Sequence, residues 1–410
     1  MSGFQKYNED NRALRWEEDY DYYFDNASST VDSYPSYFCA IANPSSIHRA
    51  GREAKKIVDD ARKGIKELFG AEEGDVIFTS GGTMANNLVF MGLRKYFKET
   101  EKNTIITTKI EHPSVLECCK ALEKDYGFNV IYLDVNEYWR INLEDLEEQL
   151  TKYKGKVGLV SVQWVNNEVG SIQKIKDIAD LCEDYGVLFH TDAVQAVGHI
   201  NINLKNIKID FLSMSGHKFH SMKGIGALYC RDKNLLSPIL YGGGQEFGLV
   251  SGTENVEGIS SMYYALRVFY SNAKIIEKNF KEQREIFVDK LMEELSDHDD
   301  IKYRFNFSED SAPYILNITF FGIPNEALVL YLSNQNIFIS AGSACHSKEI
   351  SPSHVLKAVG MTDLEALSSV RISLNCYDMD ETVGYVAKKI GKAVKDFYGK
   401  LFTMDKDEND

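Results

Sequence analysis

The 410-residue chain carries 46 Lys and Arg against 61 Asp and Glu, a formal net charge of −15, with 44% hydrophobic residues. That acidity disfavours general attraction to nucleic acid phosphates or anionic lipid, so an anionic ligand has to be held by local geometry. The length suits a large core with a smaller second domain; the N-terminus has no apolar signal core and no apolar run is long enough to span a membrane, so a cytoplasmic protein is expected.

The first twenty residues read as an extension. Beyond them, Ala50, Ala54, Ile57, Val58, Ala61, Ile65 and Leu68 recur at helical spacing and predict a helix over 46–70 closed by Gly70. Short β-rich runs then alternate with helical stretches: "DVIFTS" with 84–98, "TIITT" with 113–125, "FNVIYL" with 143–153, "VGLVSVQ" with 174–185, and then "VLFHT". Such alternation predicts an α/β fold, a mostly parallel sheet covered by helices on both faces, in a large domain over 21–260. A charged helical stretch over about 255–297 leads into a small α+β domain over 261–402, and 403–410 is an acidic tail.

Cys39, Cys118, Cys119, Cys182, Cys230, Cys345 and Cys376 form no CxxC pair, which fits free thiols in a reducing compartment. Cys118 and Cys119 are neighbours in a helical pattern, so at most one is expected to face the core.

Three stretches carry chemistry. In "FTSGGTMANN" (78–87) a strand ends in Ser-Gly-Gly-Thr and a helix follows, so the backbone at Gly82 and the Thr83 hydroxyl either meet an anion at a helix N-terminus or make an ordinary capped turn. The stretch is neither a GxGxxG fingerprint nor a P-loop. In "VLFHTDAVQAVG" a strand ends at Asp192, with Gln195 three residues on; a carboxylate there lies on the ligand-binding side of a parallel sheet, or caps a turn. Lys218 of "SMSGHKFH" follows the strand "DFLSMS", where by itself it reads as a surface lysine. A phosphate cradle, an acid for a ring nitrogen and a lysine for an aldehyde are together what pyridoxal phosphate needs. His217 and His220 lack a third ligand nearby, and no metal is expected.

The strings "YFDNASST", "NPSSIHRAGREA", "FTSGGTMANN", "EHPSV", "WVNNEVG", "HTDAVQAVG", "SGHK", "GGGQEFGLVSGTEN", "SAGSACHS" and "VRISL", in that order, resemble the cysteine desulfurases of the NifS/IscS type, from about residue 22 to about residue 400. The resemblance implies a fold-type I pyridoxal phosphate enzyme with a mostly parallel seven-stranded sheet. It makes Lys218 the Schiff-base lysine, Asp192 the partner of the pyridinium nitrogen, and His112 the imidazole over the ring and a proton shuttle. Gln195 would bond the ring hydroxyl, and Asn167 would sit beside cofactor and substrate. Gly82, Thr83, Ser215 and His217 would hold the phosphate, and Thr253 would reach the phosphate of a neighbouring subunit, implying a homodimer. Arg371 would clamp the substrate carboxylate, a task suited to its bidentate fork. Cys345, in the loop over 340–353, would carry persulfide sulfur from L-cysteine to an acceptor protein, an iron–sulfur scaffold or a tRNA- or cofactor-thiolation enzyme, with L-alanine as the other product. A cystine or selenocysteine β-lyase would need no Cys345, and a desulfurase-like scaffold would lack turnover.

Four positions depart from the resemblance. Met84 stands where the family usually has glutamate, and Phe247, Val250 and Cys376 stand where it usually has arginine. These losses read as a drier site entrance with altered access or acceptor choice, or as compensated drift. Trp16, Tyr20, Tyr22 and Tyr23 read as part of an extension that meets a partner subunit or an acceptor.

Overall fold

The computed structural model describes residues 22–30, 42–342 and 351–407. Its centre is a seven-stranded sheet built from β2 (Asp75–Thr79), β3 (Thr104–Thr108), β4 (Asn129–Leu133), β5 (Val157–Ser161), β6 (Leu188–Asp192), β7 (Phe211–Ser215) and β8 (Gly226–Cys230), in the order β2-β8-β7-β6-β5-β3-β4. Strand β8 runs antiparallel to both its neighbours, and every other pairing is parallel, so the remaining six strands share one direction. Strands β3, β5, β7 and β8 are buried along their whole length, as expected of a sheet covered on both faces.

Helix α1 (Arg49–Leu68) begins where the His48 ring accepts the Gly51 N–H and ends before Gly70, whose φ of 62° suits a glycine. The helix expected over 84–98 is two helices, α2 (Gly82–Gly92) and α3 (Arg94–Thr100). The break falls where the Gly92 carbonyl accepts the Ser237 N–H and a Gly92 side chain would strike Leu236, so a tertiary contact takes over from the helix. Helix α4 (Pro113–Tyr126) corrects the expectation for the paired cysteines, because Cys118 and Cys119 are both buried, at 4% and 0% exposure. It packs against both α2 and β4, which leaves a covered arc wide enough for both thiols. Burial pushes Cys118 up to about 12 and Cys119 higher still, so neither is a reactive thiolate.

After α5 (Leu143–Lys152) and α6 (Ile175–Asp184), the 40-residue α7 (Val256–Leu295) runs without a break through the boundary expected at residue 260. Near its start Tyr263 covers Gly64 of α1. Beyond it lie β9 (Tyr303–Phe305), β10 (Ile315–Phe320), α8 (Asn325–Ser333), β11 (Ile337–Phe338), α9 (His354–Lys357), α10 (Asp363–Leu367), β12 (Ser369–Ser373) and α11 (Asp380–Asp407). Near the end of α7, Leu291 and Glu294 cover Gly391 of α11. Strands β12, β10 and β9 form an antiparallel sheet, and one buried cluster runs from Phe24 and Ile65 through Phe280 to Ile390 and Val394. No described helix is long and apolar enough to cross a membrane.

Tyr22 and Tyr23 are not part of an extension. They form β1 (Tyr22–Tyr23), paired in parallel with β11, and the Tyr22 ring lies 5.1 Å from that of Tyr385. Trp16 and Tyr20 lie outside the described residues.

One close approach sets the position of α2. Gly81, with φ 155° and ψ 179°, occupies a region open only to glycine. A side chain at Gly226 would lie 2.6 Å from the Gly81 Cα and 2.7 Å from the Met214 carbonyl oxygen. Gly226→Ala is therefore expected to cost about 1–3 kcal/mol by overpacking, measured as a lower denaturation midpoint at unchanged slope.

Candidate active site

The six co-directional strands deliver their carboxyl ends to one edge, and a cavity of about 630 Å³ opens there. Gly82, Thr83, His112, Asn167, Asp192, Gln195, Ser215, His217, Lys218 and Arg371 all line it, although they come from five strand ends and two parts of the chain. Cys345 lies outside the described residues. Thr253 is exposed and is not among the residues that line the cavity of a single chain.

Asp192, at the end of β6, is 6% exposed; its Oδ1 accepts the Val194 N–H at 3.0 Å and its Oδ2 accepts from Asn86 Nδ2 at 2.7 Å. The same Asn86 amide donates to Ser114 Oγ at 2.8 Å, and Ser114 Oγ lies 2.8 Å from His112 Nδ1. His112 caps α4, so its Nδ1 also accepts the Ser114 N–H at 3.1 Å. With Asn86 filling a lone pair of the Ser114 hydroxyl, that hydroxyl donates to Nδ1, and the imidazole proton is assigned to Nε2. Burial holds His112 below its usual value; Asp192 opposes the shift, and Lys218 and His354 add to it. One amide thus fixes both a carboxylate and the tautomer of a neutral histidine.

Lys218 follows β7 on a short 3-10 turn, Gly216–Lys218. Its Nζ donates to the carbonyls of Ala27 at 2.5 Å and Ser28 at 2.8 Å. The Gln195 amide donates to the same Ala27 carbonyl at 2.8 Å. Beside Lys218, burial first and then the charges of Lys218 and Lys223 push His217 down to about 4, so it is neutral near pH 7.

Arg371, on β12, is almost wholly buried, with side-chain exposure of 3%. Its Nη1 donates to the Asn167 carbonyl at 2.8 Å, and its Nη2 donates at 2.7 Å to Asp25 Oδ1 and to Ser28 Oγ.

Several of these residues escaped the sequence reading. Asn86 could have been found, since it lies one helical turn after Thr83 on the same face. Asp25 and Arg371 are 346 residues apart and no spacing announces their contact. His354 lines the cavity from α9, where its Nε2 meets the Glu111 carbonyl at 3.0 Å. Glu168, also in the lining, accepts a hydrogen bond from Ser353 Oγ.

The four departures do not surround one entrance within the chain. Only Met84 lines the cavity, and there its sulfur accepts from the Ser80 N–H and Oγ. Phe247 lies elsewhere, beneath the cations of Arg62 and Lys233, 4.9 and 4.7 Å from its ring centre. Val250 packs against the cluster that holds Leu236 and Leu249, and Cys376 is buried in the main core. Val250 and Cys376 pack into two different apolar clusters and Phe247 serves as a half-exposed platform for two cations, which is the physical reason they form no shared dry mouth within the chain.

A match to the family Aminotransferase class-V extends over residues 23–386. The chain belongs to that family. Cysteine desulfurase IscS of Clostridium botulinum (strain Hall) is 37% identical over 356 residues, 86% of this chain and 87% of that protein. A solved NifS-like protein superposes with a TM-score of 0.82 at 33% identity, covering 92% of this chain and all of that one. A structure described as SspA in complex with cysteine has a TM-score of 0.72 at 33% identity, covering 88% of this chain and all of that one. The fold is that of fold-type I pyridoxal phosphate enzymes, and pyridoxal phosphate is the cofactor. The donor set suits it. A helix N-terminus with Thr83, a buried carboxylate oriented by an amide, and a lysine whose amine donates to the Ala27 and Ser28 carbonyls share one cavity.

Behind His112, Glu111 is fully buried; its Oε1 accepts from Thr108 Oγ1 at 2.7 Å and the Gln163 N–H at 3.0 Å, while its Oε2 has no partner among the described residues. Burial raises it from 4.5 to about 8. The native state therefore keeps a proton that the unfolded chain releases above pH 4.5, and this contribution to stability is lost as pH rises toward 8. Glu111→Gln has no proton to lose. It should match wild type near pH 5 and exceed it near pH 8 by on the order of 3 kcal/mol, read from denaturation curves at the two pH values.

Proposed function

We propose that this chain is a pyridoxal phosphate-dependent cysteine desulfurase, taking sulfur from L-cysteine, leaving L-alanine and passing the sulfur through Cys345 to an acceptor protein. The observation that carries the reading is the convergence of Lys218, Asp192, His112 and Arg371 on one cavity.

When bound, the cofactor supplies an electron sink that lets the substrate Cα proton leave and weakens the carbon–sulfur bond. Lys218 would hold the cofactor through its aldehyde, and its amine is the base that would move protons at the substrate carbons. Asp192, oriented by the Asn86 amide and the Val194 N–H, would pair with the ring nitrogen and keep it protonated, and Gln195 would bond the ring hydroxyl. Gly82, Thr83, Ser215 and His217 would hold the phosphate, with the α2 N-terminus compensating its charge in an otherwise acidic protein. His112, neutral with its proton on Nε2, would lie against the cofactor ring and hold that proton for donation to the substrate. Arg371 and Asn167 receive the substrate and orient its carboxylate. The Cys345 thiolate forms the new sulfur–sulfur bond as the carbon–sulfur bond of the substrate breaks; the electron pair released is neutralised by the proton that completes the methyl group of alanine.

Thr253 completes the phosphate site of a second copy in a homodimer. Its exposure away from its own cavity supports this, as does the exposed apolar surface at Ile47 and Tyr241, 90% and 84% accessible. The acceptor is an iron–sulfur scaffold or a thiolation enzyme, and the site of action is the cytoplasm.

The test is alanine and sulfide release from L-cysteine with a thiol reductant. Wild type should yield both; Cys345→Ala should lose sulfide release by more than about a hundredfold, as expected for a lost nucleophile, while keeping the absorbance of the lysine-bound cofactor at roughly 400–430 nm. Lys218→Ala should lose both the band and turnover. Full sulfide release by Cys345→Ala would replace the desulfurase with a β-lyase.

A further inference from the structure

The short segment Asp25–Thr30 touches four of the residues that line the cavity. The Ala27 carbonyl accepts from Lys218 Nζ and Gln195 Nε2, the Ser28 carbonyl accepts from Lys218 Nζ, and Thr30 bonds the His217 carbonyl through both its N–H and its hydroxyl. Arg371 is held by the same segment through side chains. Asp25 Oδ1 and Ser28 Oγ each accept from Nη2 at 2.7 Å, and Ser28 Oγ donates to Asp25 Oδ1 at 2.8 Å, closing a three-membered ring of polar contacts.

Asp25 does not line the cavity, whereas Arg371, Ser28 and Asn167 do. The carboxylate therefore grips the guanidinium from behind. Asp25 is itself fixed, since its backbone bridges to Ser373 and Tyr23 Oη donates to its carbonyl at 3.1 Å. Asn167 holds the guanidinium from a second side through Nη1, and Nε is buried with no partner among the described residues. A buried guanidinium held from behind by one carboxylate, on a residue that lines the cavity, is presented in a fixed plane to a second carboxylate arriving through the cavity.

We propose that Asp25, acting with Ser28, is a positioning residue that sets the affinity of Arg371 for the α-carboxylate of the amino-acid substrate. The proposal rests on the reading of Arg371 as the carboxylate site. Without Asp25 the guanidinium keeps its charge but loses the acceptor that fixes its plane, and a bidentate acceptor pays for that lost orientation in affinity.

The test measures binding to the cofactor-loaded enzyme of two probes, L-alanine, which has the carboxylate, and cysteamine, the cysteine analogue without it, by titration of the cofactor absorbance. Asp25→Asn should weaken L-alanine about tenfold, the scale of one charge-assisted hydrogen bond, and leave cysteamine within about twofold of wild type. Asp25→Glu should recover part of the loss. Ser28→Ala, which removes one small hydroxyl, should weaken L-alanine in the same selective way and keeps the test open if Asp25→Asn does not fold. Arg371→Lys separates the two claims. If it weakens L-alanine and Asp25→Asn and Ser28→Ala do not, Arg371 is the carboxylate site and the positioning role is wrong. If Arg371→Lys leaves L-alanine unaffected, the carboxylate site lies elsewhere and both readings fall. Equal weakening of both probes by Asp25→Asn would reduce Asp25 to a structural role and overturn the proposal.

Discussion

The common direction of six strands is the constraint on which the remainder depends. A parallel sheet places every strand's carboxyl end at one edge, and the chain must leave that edge through a turn before a helix carries it back. Thr79, Thr108, Ser161, Asp192 and Ser215 are five of those six ends, and the residues at and just past them furnish most of the cavity. Strand β8, the one reversed strand, contributes closeness instead. Its Gly226 lets the backbone before α2 approach β7, which brings the α2 N-terminus beside Ser215.

Within that frame the polar groups are ordered in chains, so that few side chains act singly. Asn86 holds Asp192 with one hydrogen and the Ser114 hydroxyl with another, and through Ser114 it decides which nitrogen of His112 carries the proton. In a buried site such chains limit the number of protonation and rotamer states available. The low values of His112 and His217 and the high value of Glu111 share burial as their main cause. The two imidazoles of the cavity wall, His112 and His217, are therefore neutral near pH 7, and they stand among acidic and basic side chains, Asp192, Lys218 and Arg371, that come from different elements. That pattern suits a ligand that brings its own phosphate and carboxylate.

The N-terminal segment ties the two halves of the molecule together at this cavity. Strand β1 pairs with β11, Phe24 enters the main core, and the next six residues reach Arg371 on one side and Lys218, Gln195 and His217 on the other. A continuous α7 and a shared core make the same connection from the opposite side. The large and small domains expected from the sequence therefore share one buried apolar cluster.

Much of this was legible in the chain itself. Strand and helix alternation, the Ser-Gly-Gly-Thr turn, Asp192 at a strand end and Lys218 after the next strand follow from periodicity and local chemistry, and these readings need only neighbours in sequence. The resemblance carried by the ordered motifs added His112, Gln195, Asn167 and Arg371. What escaped was of another kind. The break between α2 and α3, the double burial of Cys118 and Cys119, the scattering of Phe247, Val250 and Cys376, and the grip of Asp25 on Arg371 depend on contacts between segments far apart in the chain. Local sequence determined which residues could do the chemistry, because hydrogen-bonding capacity, charge and backbone preference belong to the residue. Tertiary structure alone decided which of them face one another, because a contact across hundreds of residues is set by packing and sheet polarity, which no local pattern encodes.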